Sequence, residues 1–323
     1  MSSAIRYCIA ILLMFSMAAC DTAPRRVARG EVVNLYSNCL STSDQALFAP
    51  FETASGLKVN IISEPDDQIF DRIEKLESDS TNADVLLLRG IENLYQAGQT
   101  GMLDTLPVSF FFNAIPAHLR DEQQAWLTLG YSAYAIAYRS DSLDSLQLQR
   151  YEQLTDESWD GSIALPIHND IFYISLLASL MADEGKEMTQ NWWSTLREAR
   201  NTAVDSLSLL QLLNTSTYRS DPQWQLRFLQ PEAYLQITGA AIRKAAPHPG
   251  RAEALFNYLF SREFMRRFAE KHRLYPSRPD VDIPSTLPRA GRFQADTTAQ
   301  TRIGRLTEEA RALLYSTEEE VTP

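Results

Sequence analysis

The 323-residue chain lacks the short motifs of the common nucleotide-binding and hydrolytic enzymes. It contains no G-x-x-x-x-G-K-[ST] or G-x-G-x-x-G loop, no H-E-x-x-H or G-x-S-x-G motif and no paired C-x-x-C. Its four histidines are scattered, and none has a second ligand-type side chain at helical spacing. The sequence offers no set of nucleophile, base and orienting residue. We therefore predict that the chain is not an enzyme, and we predict no cofactor and no resident metal.

Cysteine is scarce as well, because the chain has only Cys8, Cys20 and Cys39. The first two belong to the N-terminal segment described next. Cys39 is then left without a partner for a disulfide in an oxidising compartment. We interpret it as a buried, unreactive thiol near the end of a strand, and a reactive or metal-binding thiol is the alternative.

The chain has one apolar run near its start and no later segment of transmembrane length. Arg6 precedes the apolar run 9–17, which is shorter than the ~20 residues that span a bilayer and is typical of a signal peptide. The sequence Met-Ala-Ala-Cys at 17–20 resembles a bacterial lipobox. We therefore expect residues 1–19 to be removed and Cys20 to carry lipid. An ordinary cleaved signal that happens to contain a cysteine is the alternative.

These features predict an extracytoplasmic location. Asp21, directly after the cysteine, resembles the inner-membrane retention signal of Gram-negative lipoproteins, so we expect a periplasmic protein with a lipid anchor in the inner membrane. Residues 20–30 show no periodic pattern of apolar residues, and we interpret them as the tether between the lipid and the folded domain. The acidic segment 316–323 is expected to be a flexible tail.

Positive charge is in the minority: the formal net charge is -11 at pH 7. Removing residues 1–19 takes away only the positive charge of Arg6 and makes the chain more negative. An acidic surface argues against binding to nucleic acid or to anionic lipid. We therefore predict no nucleic-acid partner.

Strand-like and helical segments alternate from residue 32 onward. Short apolar strands such as 32–36 are followed by segments with apolar residues at three- and four-residue spacing, and Gly56 is placed to end the first of these helices. A long strand is predicted over 126–138, and two helices over 251–260 and 262–272. The alternation predicts an α/β layer with a mostly parallel sheet.

Several segments, in this order, resemble periplasmic solute-binding proteins of the ferric-iron type. They are Leu35-Tyr36-Ser37, FETASGLKVN at 51–60, Asn82-Ala83-Asp84-Val85, the strand 126–140, LTDESWDGSIAL at 154–165, Thr238-Gly239-Ala240-Ala241-Ile242 and FAEKHRLYPSRP at 268–279. The resemblance covers most of residues 31–280. It implies the type II periplasmic-binding-protein fold: two α/β lobes joined by crossing strands, with the ligand in the cleft between them.

The resemblance also implies boundaries and partners. We expect one lobe from 31–131 and 238–285, and the other from 132–237 and 286–315. Such proteins close on a ligand and dock to the permease of an ABC importer, so we expect that permease, or a membrane sensor, as the protein partner.

The family's iron ligands are not retained where the resemblance places them. The early His or Tyr falls at Leu40, the glutamate at Arg89, and the tyrosine pair at Ser216-Thr217. Ferric iron prefers anionic oxygen donors, whereas a guanidinium pairs with carboxylate or phosphate. We therefore expect a small anionic or polar ligand. The predicted ligand-binding residues are Tyr36, Ser37, Asn38, Arg89, Tyr131, Asn169 and Tyr218.

Other hypotheses stay open. Ferric iron could be bound through a non-standard site that uses Tyr36, Tyr218 and either Tyr131 or Tyr134. The chain could instead be a sensing or partner-binding module without transport. Arg89 could also face solvent or pair with Glu92 rather than hold a ligand.

Overall fold

The structure, a computed structural model, describes residues 31–65, 68–69, 83–106, 113–139, 148–159, 162–165, 171–198, 200–201, 209–219, 221–229, 232–289 and 293–315. The predictions made for residues 1–30, Asn169 and 316–323 lie outside these residues.

The elements of the described residues are as follows. The strands are β1 (Val32–Ser37), β2 (Lys58–Ser63), β3 (Val85–Arg89), β4 (Leu127–Arg139), β5 (Ile163–Ala164), β6 (Arg200–Asn201), β7 (Leu210–Asn214), β8 (Trp224–Arg227), β9 (Leu235–Ile242) and β10 (Tyr275–Pro276). The helices are α1 (Ala49–Ser55), α2 (Ile91–Gln99), α3 (Ile171–Glu184), α4 (Lys186–Glu198), α5 (Pro249–Leu259), α6 (Arg262–His272), α7 (Gln300–Gly304) and α8 (Thr307–Tyr315).

The first lobe is built on the strand order β2-β1-β3-β9-β4, with β10 paired to β4. Strand β1 runs parallel to β2 and β3, and β9 runs antiparallel to both β3 and β4. Strands β3 and β9 are almost entirely apolar and buried, as expected of strands covered on both faces. Helices α5 and α6 pack against this sheet and its edge strand β10.

The second lobe is built on β4-β7-β5-β6, with β8 also paired to β4. Strand β5 runs parallel to β6 and β7, whereas β7 and β8 run antiparallel to β4. The prediction of a mostly parallel sheet is therefore wrong. The reason is that β4 and β9 run opposite to their neighbours, so the described sheet is mixed.

Strand β4 belongs to both lobes. Its residues 127–133 pair with β9, and its residues 134–138 pair with β7. The expected crossing strand is thus confirmed to within one residue at each end. Gly130 is needed where β10 approaches, because a Cβ at this position would lie 2.9 Å from the Tyr275 carbonyl oxygen. The residue boundaries proposed for the two lobes stay a prediction.

Helix ends follow local hydrogen bonding. The Ser261 hydroxyl accepts the amide of Phe264 and starts α6, and Arg273, with φ of 57°, ends it in the left-handed region. Residues 300–315 form two short helices, α7 and α8, rather than one continuous helix. Thr307 Oγ1 donates to the Gly304 carbonyl oxygen over 2.8 Å, which occupies an acceptor that a continuous helix would use. Among the described residues, no helix has both the length and the hydropathy to span a bilayer.

Candidate functional site

A polar cleft lies where the lobes meet at β4 and β9. It is lined by Cys39, Arg89, Ser132, Ser216, Gln236, Thr238, Phe268, His272 and Leu274. The lining combines a guanidinium and an imidazole with hydroxyl and amide groups, and none of these nine side chains is a carboxylate. The described part of the cleft is therefore suited to an anion.

The loop after β1 is held by the Ser37 hydroxyl. Ser37 Oγ donates to the Leu87 carbonyl oxygen over 2.7 Å and accepts the amides of Cys39 and Leu40, each at 3.1 Å. These bonds turn the chain and place Cys39 in the cleft lining. The Sγ of Cys39 lies 3.4 Å from Ser37 Oγ. Cys39 is half-buried, which is less than the full burial expected from the sequence.

The backbone of Arg89 is fixed by the side chain of Asn38. Asn38 Oδ1 accepts the Arg89 amide at 2.8 Å, and Asn38 Nδ2 donates to the Arg89 carbonyl oxygen at 2.9 Å. Asn93 Nδ2 donates to the same carbonyl at 2.8 Å. Gly90 follows with φ of 92°, a conformation that favours glycine, and its missing Cβ leaves room for the Glu92 carboxylate. The end of β3 is therefore locked from both sides.

The guanidinium of Arg89 faces the cleft and forms no ion pair with a carboxylate of the described residues. The alternative pairing with Glu92 has no support among the contacts of the described residues, where Glu92 is 2% exposed and its Oε2 accepts the Ser175 hydroxyl at 2.8 Å. The Glu92–Ser175 bond connects α2 of the first lobe with α3 of the second. Arg89 thus presents a positive charge to the cleft inside a chain whose net charge is -11.

His272, the last residue of α6, supplies the second basic side chain of the cleft. Its Nε2 lies 3.0 Å from Asp44 Oδ1, and its ring packs on Phe268 with centroids 4.5 Å apart. Burial lowers the pKa of His272; Asp44 opposes this, while the nearby Lys271 and Arg89 charges add to it. Burial raises the pKa of Asp44, but the hydrogen bonds from Lys271 and Ser41 outweigh it, so this pKa stays below its usual range.

The second-lobe side of the cleft is neutral. Asn214 Oδ1 accepts the Ser216 amide at 3.0 Å, and Asn214 Nδ2 donates to Gln236 Oε1 at 3.0 Å. These bonds set Ser216 and Gln236 in the lining. Arg273 connects this side to the first lobe, because its guanidinium donates to the Tyr218 carbonyl oxygen at 2.8 Å.

The predicted site residues are placed differently from one another. Tyr36 and Ser37 are fully buried in the core, so their placement gives no support to direct ligand contact. Asn38 acts on Arg89, and Arg89 lines the cleft as expected. Tyr131 stacks on Tyr275 with centroids 5.5 Å apart.

Tyr218, the remaining predicted tyrosine, donates its hydroxyl to the Trp224 carbonyl oxygen at 3.0 Å. Asn169 and Cys20 lie outside the described residues. No signal in the sequence pointed to His272 or Gln236, because their partners Asp44 and Asn214 are distant in the chain.

A second pocket, of about 260 Å³, is formed by α3, α4 and the 3₁₀ turn Tyr151–Thr155. Its walls include the rings of Tyr151, Trp192 and Tyr234. It does not involve the polar groups at the meeting point of the lobes. Although this pocket is larger than the cleft, it lacks those polar groups and is therefore the weaker candidate for a ligand site.

The described residues contain no group of three or more His, Cys, Asp or Glu side chains arranged to hold a metal ion. What the cleft offers instead is one cation with a fixed backbone, one oriented imidazole and several neutral hydrogen-bonding groups. Hydrogen bonds from a guanidinium to carboxylate are charge-assisted and frequently bidentate. The cleft has a volume of about 30 Å³, and it offers these groups to a small anion or to the outer carboxylates of a larger complex.

Comparison with known proteins agrees with this architecture. The family model for bacterial extracellular solute-binding proteins matches residues 81–295. Iron uptake protein A2 of Synechocystis sp. is 26% identical, over 90% of this chain and 91% of the relative. The major ferric iron-binding protein of Neisseria meningitidis is 21% identical, over 84% of this chain and 88% of that protein.

Solved structures give the same result. A Trichodesmium protein in complex with iron and citrate superposes with a TM-score of 0.78 at 27% identity, covering 89% of this chain and 99% of that one. The ferric binding protein of Campylobacter jejuni superposes with a TM-score of 0.80 at 22% identity, covering 88% and 99%, which speaks for the fold alone. The type II periplasmic-binding-protein fold is thereby confirmed. The chain belongs to the bacterial extracellular solute-binding proteins, and its relatives are those of the ferric-iron type.

Proposed function

We propose that the protein is the receptor of an ABC importer for iron, and that it takes ferric iron as an anionic carboxylate chelate rather than as the bare ion. The observation that carries the proposal is Arg89, whose backbone is clamped by Asn38 and whose guanidinium faces a cleft without a carboxylate in its described lining. The permease of the importer is the protein partner in this proposal.

The chemistry of the ion supports a chelate. Ferric iron needs hard anionic oxygen donors, and the described cleft supplies neutral hydroxyls, an amide and an imidazole instead. A polycarboxylate would bring those donors with the metal and leave a negative outer surface for Arg89 to bind. The iron-and-citrate complex of the Trichodesmium relative is a precedent for such a pair of ligands.

Iron is better supported as the solute than the unspecified anion expected from the sequence, because the relatives are iron uptake and ferric iron-binding proteins. A site of tyrosinates has less support from the geometry. Tyr36 and Tyr134 are buried, and the Tyr218 hydroxyl is bonded to a backbone carbonyl. Burial also raises the pKa of Tyr131, which disfavours its phenolate.

The lipid anchor at Cys20 belongs to the same proposal. An anchored receptor stays close to its permease, and the family is extracellular by description. Incorporation of labelled palmitate into the chain, and its loss in Cys20→Ala, would test the anchor.

The function is tested by calorimetric titration of the purified protein with ferric citrate, with citrate alone and with ferric nitrilotriacetate. We expect ferric citrate to bind at least tenfold more tightly than citrate. Equal binding of citrate with and without iron would instead identify a receptor for organic anions. If the protein instead takes up iron while citrate stays in solution, and a visible charge-transfer band appears, the tyrosine site would be identified. Absence of binding would reject the proposal.

A further inference from the structure

The strands that cross between the lobes carry a row of polar side chains on one face. Gln236 and Thr238 are the only polar residues of β9, and their two-residue spacing puts them on the same side of the sheet. Strand pairing adds Ser132, opposite Gln236, and Arg89, opposite Thr238, because directly paired residues share a face. All four residues line the cleft, and we call them the polar row.

The neutral members of the polar row have unused hydrogen-bonding groups. Ser132, Gln236 and Thr238 are only 1%, 6% and 2% exposed. Their atoms Ser132 Oγ, Gln236 Nε2 and Thr238 Oγ1 have no hydrogen-bond partner among the described residues, and they border the cleft rather than the closed core. Buried polar groups are normally paired. The row therefore keeps a capacity for hydrogen bonds that the described protein groups do not use.

Backbone amides decide which end of the Gln236 side chain faces the cleft. Asn214 Oδ1 accepts the amides of Ser216 at 3.0 Å and Thr217 at 3.3 Å, and this atom must be the oxygen because an amide N–H only donates. Asn214 Nδ2 then donates to Gln236 at 3.0 Å, so Gln236 must present Oε1 to it. The group that Gln236 offers to the cleft is therefore the Nε2 donor.

We propose that the polar row is a subsite for one carboxylate group of the chelate, and that Gln236 is its specificity-determining residue. Nε2 of Gln236 donates to a carboxylate oxygen that Arg89 also binds, and Asn214 is the positioning residue. This inference rests on the proposed function and names the part of the ligand that is recognised. The iron lies outside the row and is held by the other oxygens of the chelator.

The size of the cleft agrees with a single carboxylate. Its volume is about 30 Å³, which holds about two water molecules, since one water needs roughly 10–15 Å³. The two oxygens of a carboxylate take up a similar space. A neutral chelate such as ferric acetohydroxamate would leave Arg89 and Gln236 desolvated without an anionic partner, so we expect it to bind roughly 100-fold more weakly than ferric citrate.

The direct contact is tested by nuclear magnetic resonance with gallium citrate, the diamagnetic analogue of ferric citrate. The side-chain amide hydrogens of Gln236, assigned by their absence in Gln236→Glu, should shift downfield during the titration. They should also show Overhauser contacts to the methylene hydrogens of citrate. Binding of gallium citrate and ferric citrate without any response of these hydrogens would overturn the inference and leave the proposed function standing.

A pair of glutamine variants measures the contribution to affinity. Gln236→Glu keeps the acceptor for Asn214 but puts a carboxylate in the cleft in place of the donor, and it should weaken ferric citrate binding by roughly 30-fold or more. Gln225→Glu is the matched control, because Gln225 is exposed on β8 and its Oε1 also accepts a hydrogen bond, from the Tyr138 hydroxyl at 2.8 Å. It should keep full affinity. Equal affinity of the two variants would contradict the proposal.

Asn214→Asp tests the positioning role. An oxygen then replaces Nδ2, so the Gln236 amide is expected to rotate, donate to this oxygen and turn its own carbonyl towards the cleft. Ferric citrate binding should weaken by roughly tenfold, and the Gln236 hydrogens should no longer respond to gallium citrate. A preserved response would overturn the role of Asn214. A thermal melt of each variant verifies folding, and absence of ferric citrate binding by the wild-type protein would overturn both the inference and the proposed function.

Discussion

The two sides of the cleft differ in charge and in how firmly they are held. On the first-lobe side, Arg89 is locked by the Asn38 side chain, and His272 is fixed to a buried carboxylate. On the opposite side, Ser216 of the second lobe and Gln236 of β9 are neutral, and both are arranged around Asn214 of β7. For the proposed function, the difference assigns recognition of charge to the first lobe, and it assigns to the second lobe the hydrogen bonds that form as the lobes close.

Removing the charge from the first-lobe side should have the largest effect. We expect Arg89→Ala to weaken ferric citrate binding by about 100-fold, since a charge-assisted hydrogen-bonded pair contributes about 2.7 kcal/mol in such a cleft. Calorimetric titration measures the change. Arg150→Ala is the matched control, because Arg150 is exposed and pairs with Glu152 away from the cleft. If Arg89→Ala weakens ferric citrate binding by less than threefold, the first lobe does not recognise the charge of the ligand.

Loosening the first-lobe side without changing its charge should have a smaller effect. Asn38→Ala removes both hydrogen bonds to the Arg89 backbone, and we expect about tenfold weaker binding together with a loss of about 1–2 kcal/mol in the free energy of unfolding. Titration and urea denaturation measure the two effects. Full affinity in Asn38→Ala would mean that the clamp is not needed for recognition.

The neutral side should tolerate change better. We expect Ser216→Ala to weaken binding by about threefold, the cost of one neutral hydrogen bond formed on closure. Thr53→Ala, on the exposed surface of α1, serves as the control for a lost hydroxyl. An effect of Ser216→Ala as large as that of Arg89→Ala would remove the distinction between the two sides.

The smallest effect concerns acid stability at the start of the helix that ends in His272. Hydrogen bonds from Arg278 and Arg262 lower the pKa of Asp280 to about 2. Because this pKa is depressed, its contribution to stability is present above pH 4 and is lost as the pH falls towards 2. Urea denaturation between pH 5 and pH 2.5 should show a modest decline. The decline should be weaker in Asp280→Asn, and an identical decline in both would contradict the assignment.

Sequence patterns identified the long elements well. The ends of β4 and α5 lie within two residues of their predicted positions, and α6 coincides with its prediction. These segments combine sustained periodicity with clear stops, so local signals are enough. The mixed direction of the sheet was missed, because an apolar strand reads the same whether its neighbours are parallel or antiparallel.

The candidate site followed from the sequence only in part. Arg89 was chosen because it stands where the family resemblance places an acidic ligand, and Asn38 because it follows β1. Tyr36 was chosen because it lies near the end of β1, next in the sequence to the loop that lines the cleft. A strand that is buried on both faces shows no alternation of polar and apolar residues, so its sequence does not tell which side chains face a ligand. His272 acquires its meaning from Asp44, 228 positions away, and no local pattern records such a pair.

The sharing of β4 between the lobes restricts how the chain can change. Side chains along a strand alternate between its faces, so an insertion or deletion of one residue near Ala133 reverses every following side chain. One lobe would keep its packing, while in the other the buried side chains of the two faces of the strand would change places. The two lobes can therefore vary independently in their loops, but a change in the length of this 13-residue strand affects both lobes at once.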